Sequence, residues 1–358
     1  MASENDPVRP RAGGMHPSED SVFMRACRRQ SVPYTPIWLM RQAGRFMKEY
    51  RDIRERVSMR ELCATPDLVE EVTVHAATTL GVDAAIIFSD LLLIVEPMGL
   101  TLDYLQGSGP SIQPAVRDAA AIDRLREVDP AALEPVYAGV RQARAALPAT
   151  MPLIGFAGAP FTLASYVIEG GASRRFLHTK SLMYRDEGAW HALMEKIVRG
   201  VIPYLCRQVE AGAQALQVFD SWVGCLSPAD YRRYVQPHSR ALLAALPDRV
   251  PVIHFGTGTA TLLHEMAAAG GDLIGIDWRT DLRAAWSQLG EAVGIMGNLD
   301  PLALLGGDDV LRREVTRILG EVAACPGHVF NLGHGVVPET SPAAARRLVE
   351  MVHEISRR

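Results

Sequence analysis

The sequence predicts an α/β fold: a single (β/α)8 barrel of the TIM type behind a disordered N-terminal tail. Three observations predict it. Eight short runs are almost continuously apolar, as strands buried on both faces are. Longer segments between them carry apolar residues at helical spacing. A chain of 358 residues fits one such barrel. A doubly wound open sheet is the competing architecture. Against it, no Gly-x-Gly-x-x-Gly follows an early strand, and the glycines at 155–158 and 256–258 lack both the full spacing and the acidic partner.

In chain order, residues 1–18 are polar, contain Pro and Gly and lack apolar periodicity, so they read as the tail, leaving 19–358 as the catalytic domain. The first apolar run, 36–39, stops at Met40-Arg41-Gln42-Ala43-Gly44-Arg45, with Arg51 and Arg54 close behind. Arginine offers a rigid planar fork of donors suited to carboxylate or phosphate, so arginines at the mouth of a strand suggest a pocket for a polyanion. A solvated basic helix start is the other reading.

A helix over 66–80 follows, with Leu68, Val69, Val72, Ala76 and Leu80 at intervals of three and four. The run 84–88 leads into Ser89-Asp90. The Pro-rich stretch 99–150 can carry excursions from the barrel. The run 152–156 opens into Gly155-Phe156-Ala157-Gly158-Ala159-Pro160-Phe161-Thr162, with Tyr166 just beyond, and a helix is expected over 189–212.

The fourth run, 215–219, ends at Asp220-Ser221-Trp222. The fifth, 251–255, contains His254 and leads to Gly256-Thr257-Gly258 and a helix over 260–270. The sixth, 273–276, ends at Asp277-Trp278-Arg279; the seventh, 294–296, at Gly297-Asn298-Leu299-Asp300-Pro301, before a helix over 310–325. The eighth, 328–331, ends at Asn331-Leu332-Gly333-His334-Gly335. A last helix spans 341–355, with Ser341 as N-cap and Pro342 in the first turn.

In such a barrel the loops after the strands build the active site, and it is there that the unusual residues fall. Each has a plainer role open to it. Asp90, Asp220 and Ser221 can cap the helices that follow, Tyr166 can be a half-buried packing residue, and His254, inside an apolar strand, reads as a core histidine. His334, between two glycines in a tight turn, is harder to explain as packing.

Composition narrows the classes. Hydrophobic residues at 48% with 22% charged are ordinary for a globular protein with a substantial core. A net charge of −4 provides no basic excess for nucleic acid. It leaves room for an anionic small molecule, because a local arginine group acts over roughly a Debye length, ~8–10 Å. The most apolar stretch, 84–100, is interrupted by Asp90, Glu96 and Pro97, so no membrane span is expected.

Only three of the 37 basic residues are lysines, Lys48, Lys180 and Lys196, which leaves few candidates for Schiff-base chemistry. The five cysteines, Cys27, Cys63, Cys206, Cys225 and Cys325, are scattered without a CxxC pair and read as free thiols of a cytoplasmic protein. No HxH, HExxH or Cys/His cluster suggests a metal, and Ser221 lacks the GxSxG turn of a serine hydrolase.

Eight pieces of the chain together resemble the uroporphyrinogen decarboxylase family: PIWLMRQAGRFMKEYR, FSDLL, GFAGAPFTLASYVIEG, VFDSWVG, HFGTGT, GIDWR, GNLDP and NLGHGVVPETSP, which run from about residue 33 to 342. The resemblance implies a cofactor-free (β/α)8 enzyme, usually a homodimer, that removes CO2 from the four acetate side chains of uroporphyrinogen III to give coproporphyrinogen III. By motif position, Arg41, Arg45 and Arg54 would bind substrate carboxylates, within a binding segment that also includes Gln42, Ala43 and Gly44. Asp90 would be catalytic, facing the pyrrole N–H groups, with Ile86 and Phe88 lining that region. Tyr166, Ser221 and His334 would complete the pocket. Lys48, at a position often proline in the family, and Trp222, at a variable one, are small departures.

The proton donor stays open between Tyr166 and His334. Two other readings compete with the decarboxylase. A zinc-dependent thiol methyltransferase on the same scaffold needs a His and Cys ligand set, whereas the fifth and eighth loops offer His254 and His334 without cysteine. A non-catalytic tetrapyrrole-binding protein would need the arginines but not Asp90, which is present.

Overall fold

The computed structural model of the chain describes residues 16–105, 109–290, 292–322 and 326–358. Most of the expected tail lies outside the described residues; its end, Pro17–Asp20, forms a 3-10 turn that begins the ordered chain.

The fold is α/β. Seven strands form one parallel sheet: β1 (Ala85–Ile86), β4 (Leu153–Gly158), β5 (Ala215–Asp220), β6 (Val252–Gly256), β7 (Leu273–Gly275), β8 (Gly294–Met296) and β9 (His328–Val329), each paired with the next in that order. The Pro-rich excursion supplies an antiparallel hairpin, β2 (Thr101–Leu105) and β3 (Gly109–Gln113), outside this sheet. Strands β4 and β6 are buried at every position, which is why they read as unbroken apolar runs. Register aligns the strand ends, with Gly158 opposite Phe219 and Asp220 opposite Gly256, so the loops that follow meet at one end of the sheet.

The first expected strand, 36–39, is reduced to a single parallel bridge between Ile37 and Phe330. Side chains take the donors that a ladder would use. The Ile37 N–H donates to the Asp83 carboxylate at 2.8 Å, Leu39 N–H to Gln42 Oε1 at 3.3 Å and Met40 N–H to Asn331 Oδ1 at 3.1 Å. The segment still touches both outer strands' neighbourhoods: Phe330 N–H donates to the Pro36 carbonyl at 2.8 Å and Asp83 N–H to the Ile37 carbonyl at 2.8 Å.

The helices follow the expected periodicity. Pro66–Leu80 has Pro at its start, buries Val69, Val72, Ala76 and Leu80, and ends on Gly81 at φ +69°, a left-handed cap that suits glycine. The helix expected over 189–212 runs Glu187–Ala211, because Asp186 caps it by accepting the Ala189 N–H at 2.9 Å. The 260–270 helix is shorter, Leu263–Ala269. The described part of the 310–325 helix is Asp308–Val322, residues 323–325 lying outside the described ones. Pro342–Ser356 starts on Ser341, whose Oγ accepts the Ala344 N–H at 3.1 Å. The helix layer packs large apolar groups against the sheet. Phe161, fully buried, is of a kind that contributes about 1.5–3 kcal/mol each. Among the described residues, no helix is long and apolar enough to cross a membrane.

Candidate active site

Arg41 opens the site. Its φ of +61° lies in the left-handed region, an uncommon state for a residue with a side chain. The neighbours hold it there: Val336 N–H donates to the Met40 carbonyl at 2.9 Å, and Gln42 N–H to the Leu39 carbonyl at 3.0 Å. Gln42 itself is fully buried, its Oε1 accepting from Leu39 and its Nε2 donating to the Ala84 carbonyl at 3.4 Å, so its side chain belongs to the scaffold of the turn, not to the pocket. Gly44 leaves room for the same turn, since a Cβ there would sit 2.8 Å from the Arg41 carbonyl oxygen. Ala43 borders a small separate cleft with Met47 and Tyr50.

Arg45, Arg51 and Arg54 line an open basin of about 1130 Å³ together with Tyr50, Glu55 and Pro338. Arg51 Nη1 donates to the carbonyls of Arg45 and Phe46 at 2.8 and 3.0 Å, and Arg54 donates to the Val57 carbonyl. Among the described residues these three guanidiniums form no ion pair, and with Glu55 as the one acidic residue of the lining the basin is net basic.

The last loop closes against two turns at once. A Cβ on Gly333 would lie 2.2 Å from the Trp278 backbone nitrogen, and one on Gly335 would lie 2.3 Å from Arg41 Cδ. Only glycine fits either place, and His334 is thereby held between Arg41 and the Trp278–Arg279 turn. Its imidazole meets Trp278 edge to face, centroids 6.5 Å apart. Burial, then the nearby Arg41 and Arg279 charges, push it down to about 4 despite Asp277, so it is neutral at pH 7.

Asp90 follows β1. Its Oδ1 accepts the Leu92 N–H at 2.8 Å, closing a local turn, and it caps no helix: the 3-10 turn Leu93–Val95 that follows starts on Leu92 without a side-chain cap. The rest of the carboxyl lies within electrostatic reach of Tyr104 of β2, Tyr166 and Arg41. Burial raises its pKa, opposed by the Leu92 N–H, nearby Tyr104 and Arg41. Tyr166 is pushed up to about 12, by burial first and Asp90 second, against Arg41. The ring of Tyr166 stacks on Trp222 at 3.8 Å between centroids. Ile86 and Phe88 are buried beneath, and Phe88 packs on Tyr50 at 5.5 Å, which joins the Asp90 region to the arginine basin.

Ser221 and Trp222 are placed by buried polar groups. Thr162 Oγ1 donates to Asp220 Oδ1 at 2.9 Å and accepts the Trp222 N–H at 3.3 Å, while Thr257 Oγ1 donates to the Ser221 carbonyl. Asp220 is fully buried; burial pushes its carboxyl up to about 7, against the Thr162 contacts. It positions the turn that carries Ser221, which is half-buried. His254 is an uncharged core histidine, pushed down to about 4 by burial.

Of the residues expected at the site, Asp90, Tyr166 and His334 each lie within electrostatic reach of Arg41, and Arg45 and Arg54 line the basin. The sequence reading did not single out Tyr104, whose hairpin has no distinctive pattern, nor Trp222 as the partner of Tyr166. Chemically, the site offers a desolvated carboxylate ringed by two phenols and an arginine, at the foot of a basic basin. A flat ligand with N–H groups or developing positive charge at its centre and anionic arms at its edge fits that arrangement. Cys63, within electrostatic reach of Asp90, is pushed up to about 12 by burial and by Asp90, against Arg54. Among the described residues no group of three His, Cys, Asp or Glu side chains is arranged to hold a metal ion.

Comparison with known proteins agrees with this geometry. The family model described as uroporphyrinogen decarboxylase (URO-D) matches residues 18–355. The uroporphyrinogen decarboxylase of Salinispora tropica is 49% identical over 361 residues, covering 100% of this chain and 97% of its own. That of Syntrophotalea carbinolica is 52% identical over 340 residues, covering 94% of this chain and 98% of its own. Among solved structures, a methyltransferase from Methanosarcina mazei superposes with a TM-score of 0.74 at 18% identity, covering 93% of this chain and 98% of that one. At that identity the likeness concerns the fold alone.

Proposed function

The chain belongs to the uroporphyrinogen decarboxylase family, and from that premise we propose that the pocket around Asp90 removes the four acetate carboxyls of uroporphyrinogen III, giving coproporphyrinogen III and four CO2. It is a decarboxylase, a carboxy-lyase of porphyrin and haem biosynthesis. The observation that carries the residue-level reading is Asp90, desolvated between Tyr104, Tyr166 and Arg41, beside a basin of three unpaired arginines.

Each turnover leaves an electron pair on a methylene when its carboxyl departs. Protonation of the adjacent pyrrole at its α-carbon creates a cationic ring; the bond to the carboxyl breaks, its electrons enter the ring and CO2 leaves. A proton then adds to the methylene to make a methyl group while the ring carbon gives its proton back, so one proton is consumed per CO2. Asp90, as a carboxylate at the centre, accepts the pyrrole N–H groups and stabilises the cation, which in turn favours the ionised form that burial disfavours. Tyr166 and neutral His334 keep their protons at pH 7 and serve as hydrogen-bond donors to the substrate. Arg41, Arg45 and Arg54 take the carboxylates; hydrogen bonds to charged groups contribute about 1.5–3 kcal/mol each.

The same reading holds that the chemistry needs no cofactor, since the substrate's own ring is the electron sink. Three further parts belong to it. The segment 36–39 completes a closed eight-stranded barrel, supported by its contacts to Phe330 on one side and Asp83 on the other. The protein is cytoplasmic, in keeping with the free thiols Cys27, Cys63, Cys206 and Cys225. It is a homodimer, as the resemblance implies.

Anaerobic incubation of the protein with uroporphyrinogen III and a strong metal chelator tests the function. Products are oxidised and separated by carboxyl number. Stepwise loss of four carboxyls is expected; loss that the chelator abolishes would return the zinc reading, and tight binding without loss would leave only a tetrapyrrole carrier.

A further inference from the structure

We infer that Arg279 is a further carboxylate anchor, placed beside His334 and apart from the basin of Arg45, Arg51 and Arg54, and that it holds a side-chain carboxylate of the substrate from the His334 side. The inference rests on the substrate reading above and adds to it a residue and a direction.

Three observations place it. The Gly333–Gly335 loop is clamped between Arg41 and the Trp278–Arg279 turn, so His334 has one guanidinium on each side and its imidazole responds to both. The Arg279 side chain is 59% exposed, unlike the Asp277 to which it is tied. Finally, the guanidinium is preorganised on two faces: its Nη1 donates to Asp277 Oδ2 at 2.7 Å, and its Cζ lies 3.8 Å over the centre of the Trp278 ring.

Asp277 balances the Arg279 charge but occupies only one edge of its fork. Its carboxylate is fully buried and shared with the Gly258 N–H at 2.8 Å, the Arg279 N–H at 3.2 Å and Thr280 Oγ1 at 3.3 Å. The turn beneath is braced by Asn298 Nδ2, which donates to the Asp277 and Thr280 carbonyls at 3.0 and 2.7 Å. One edge of the fork is thus fixed to a rigid support, and the other edge has no acceptor among the described residues. A fork fixed in this way loses little entropy when it takes a bidentate carboxylate.

The test compares steady-state kinetics of wild type, Arg279→Gln and Arg279→Lys on uroporphyrinogen III, alongside their melting temperatures. For Arg279→Gln, KM rises about tenfold to a hundredfold, kcat changes by less than about threefold, and the slope of KM against ionic strength falls. Arg279→Lys, which can keep the ion pair with Asp277 but not the planar fork, gives an intermediate KM. A role confined to bracing Asp277 would instead lower the melting temperature of Arg279→Gln and leave KM alone, and a wild-type KM in both variants overturns the inference. If Arg279→Gln does not fold, the KM of Arg279→Lys decides in the same sense. Failure of the wild type to decarboxylate would count against the substrate reading itself, which separates the two.

Discussion

Arg41 and Arg45 stand in one motif, four residues apart, yet the fold holds them in opposite ways. Arg45 belongs to the basin, where Arg51 and Arg54 hang from backbone carbonyls and solvent reaches all three. Arg41 is set on a strained backbone, its stem lying on Gly335 with no space for a Cβ between them, and it bears on Asp90, Tyr166 and His334 together. Both arginines are exposed, so the contrast lies in backbone and neighbours: the rim gathers charge, while the Arg41 turn fixes the geometry of the groups around it. Charges at an exposed rim are individually worth little and are screened by salt, whereas a group held at the reacting centre governs the rate. The two regions therefore differ both in how much a substitution costs and in which kinetic constant it changes.

Asp90→Asn is the hardest test of that division. The change keeps shape and removes charge beside the Arg41 turn, and kcat is expected to fall by about 10²–10³-fold while substrate binding, measured by fluorescence titration, is retained. Full turnover in this variant would remove Asp90 from the mechanism.

Next in size is Gly335→Ala. Its methyl would meet Arg41 Cδ at 2.3 Å, so the guanidinium must move, and a misplacement of about 1 Å can cost on the order of 10²-fold. Both kcat and kcat/KM should drop, with the melting temperature little changed. Wild-type kinetics would show that Arg41 needs no fixed seat.

At the rim, Arg45→Gln is expected to raise KM no more than about fivefold, with kcat intact, and the difference from wild type should shrink in salt. A loss as large as that of Gly335→Ala would erase the distinction between the rim and the Arg41 turn.

A last effect concerns stability and leaves the kinetic comparison untouched. Asp220, with an ordinary pKa of 3.8, is pushed up to about 7 in the fold. Its folded pKa is raised, so the unfolded chain loses the proton first, and stability present below pH 3.8 is lost as pH rises to about 7, by an amount on the order of 4 kcal/mol. Asp220→Asn should flatten that part of the melting-temperature profile, gaining on wild type at pH 8 relative to pH 4. Parallel profiles would mean that Asp220 is ionised in the fold.

Much of this was legible in the sequence, for physical reasons. Strands buried on both faces leave apolar runs, and seven of the eight runs are strands of the sheet. The pocket residues were legible because polar groups at strand ends stand out against such runs. What hid the first strand's true form was that Asp83, Gln42 and Asn331, distant or adjacent in sequence, supply acceptors that replace a ladder. Gln42 looked like part of the binding segment for the same reason: its partners are backbone atoms that no motif reveals. Tyr104 was invisible because a hairpin carries it to Asp90 from outside the sheet.

The left-handed backbone at Arg41 also bears on how this protein can change over time. Glycine is the residue that would relax that conformation, at a gain of order 0.5–1 kcal/mol or more, and it is the residue that would delete the guanidinium. Selection for heat resistance alone, applied to this position, would therefore favour a hardier molecule without its central arginine. Arginine at this position thus sets turnover against durability.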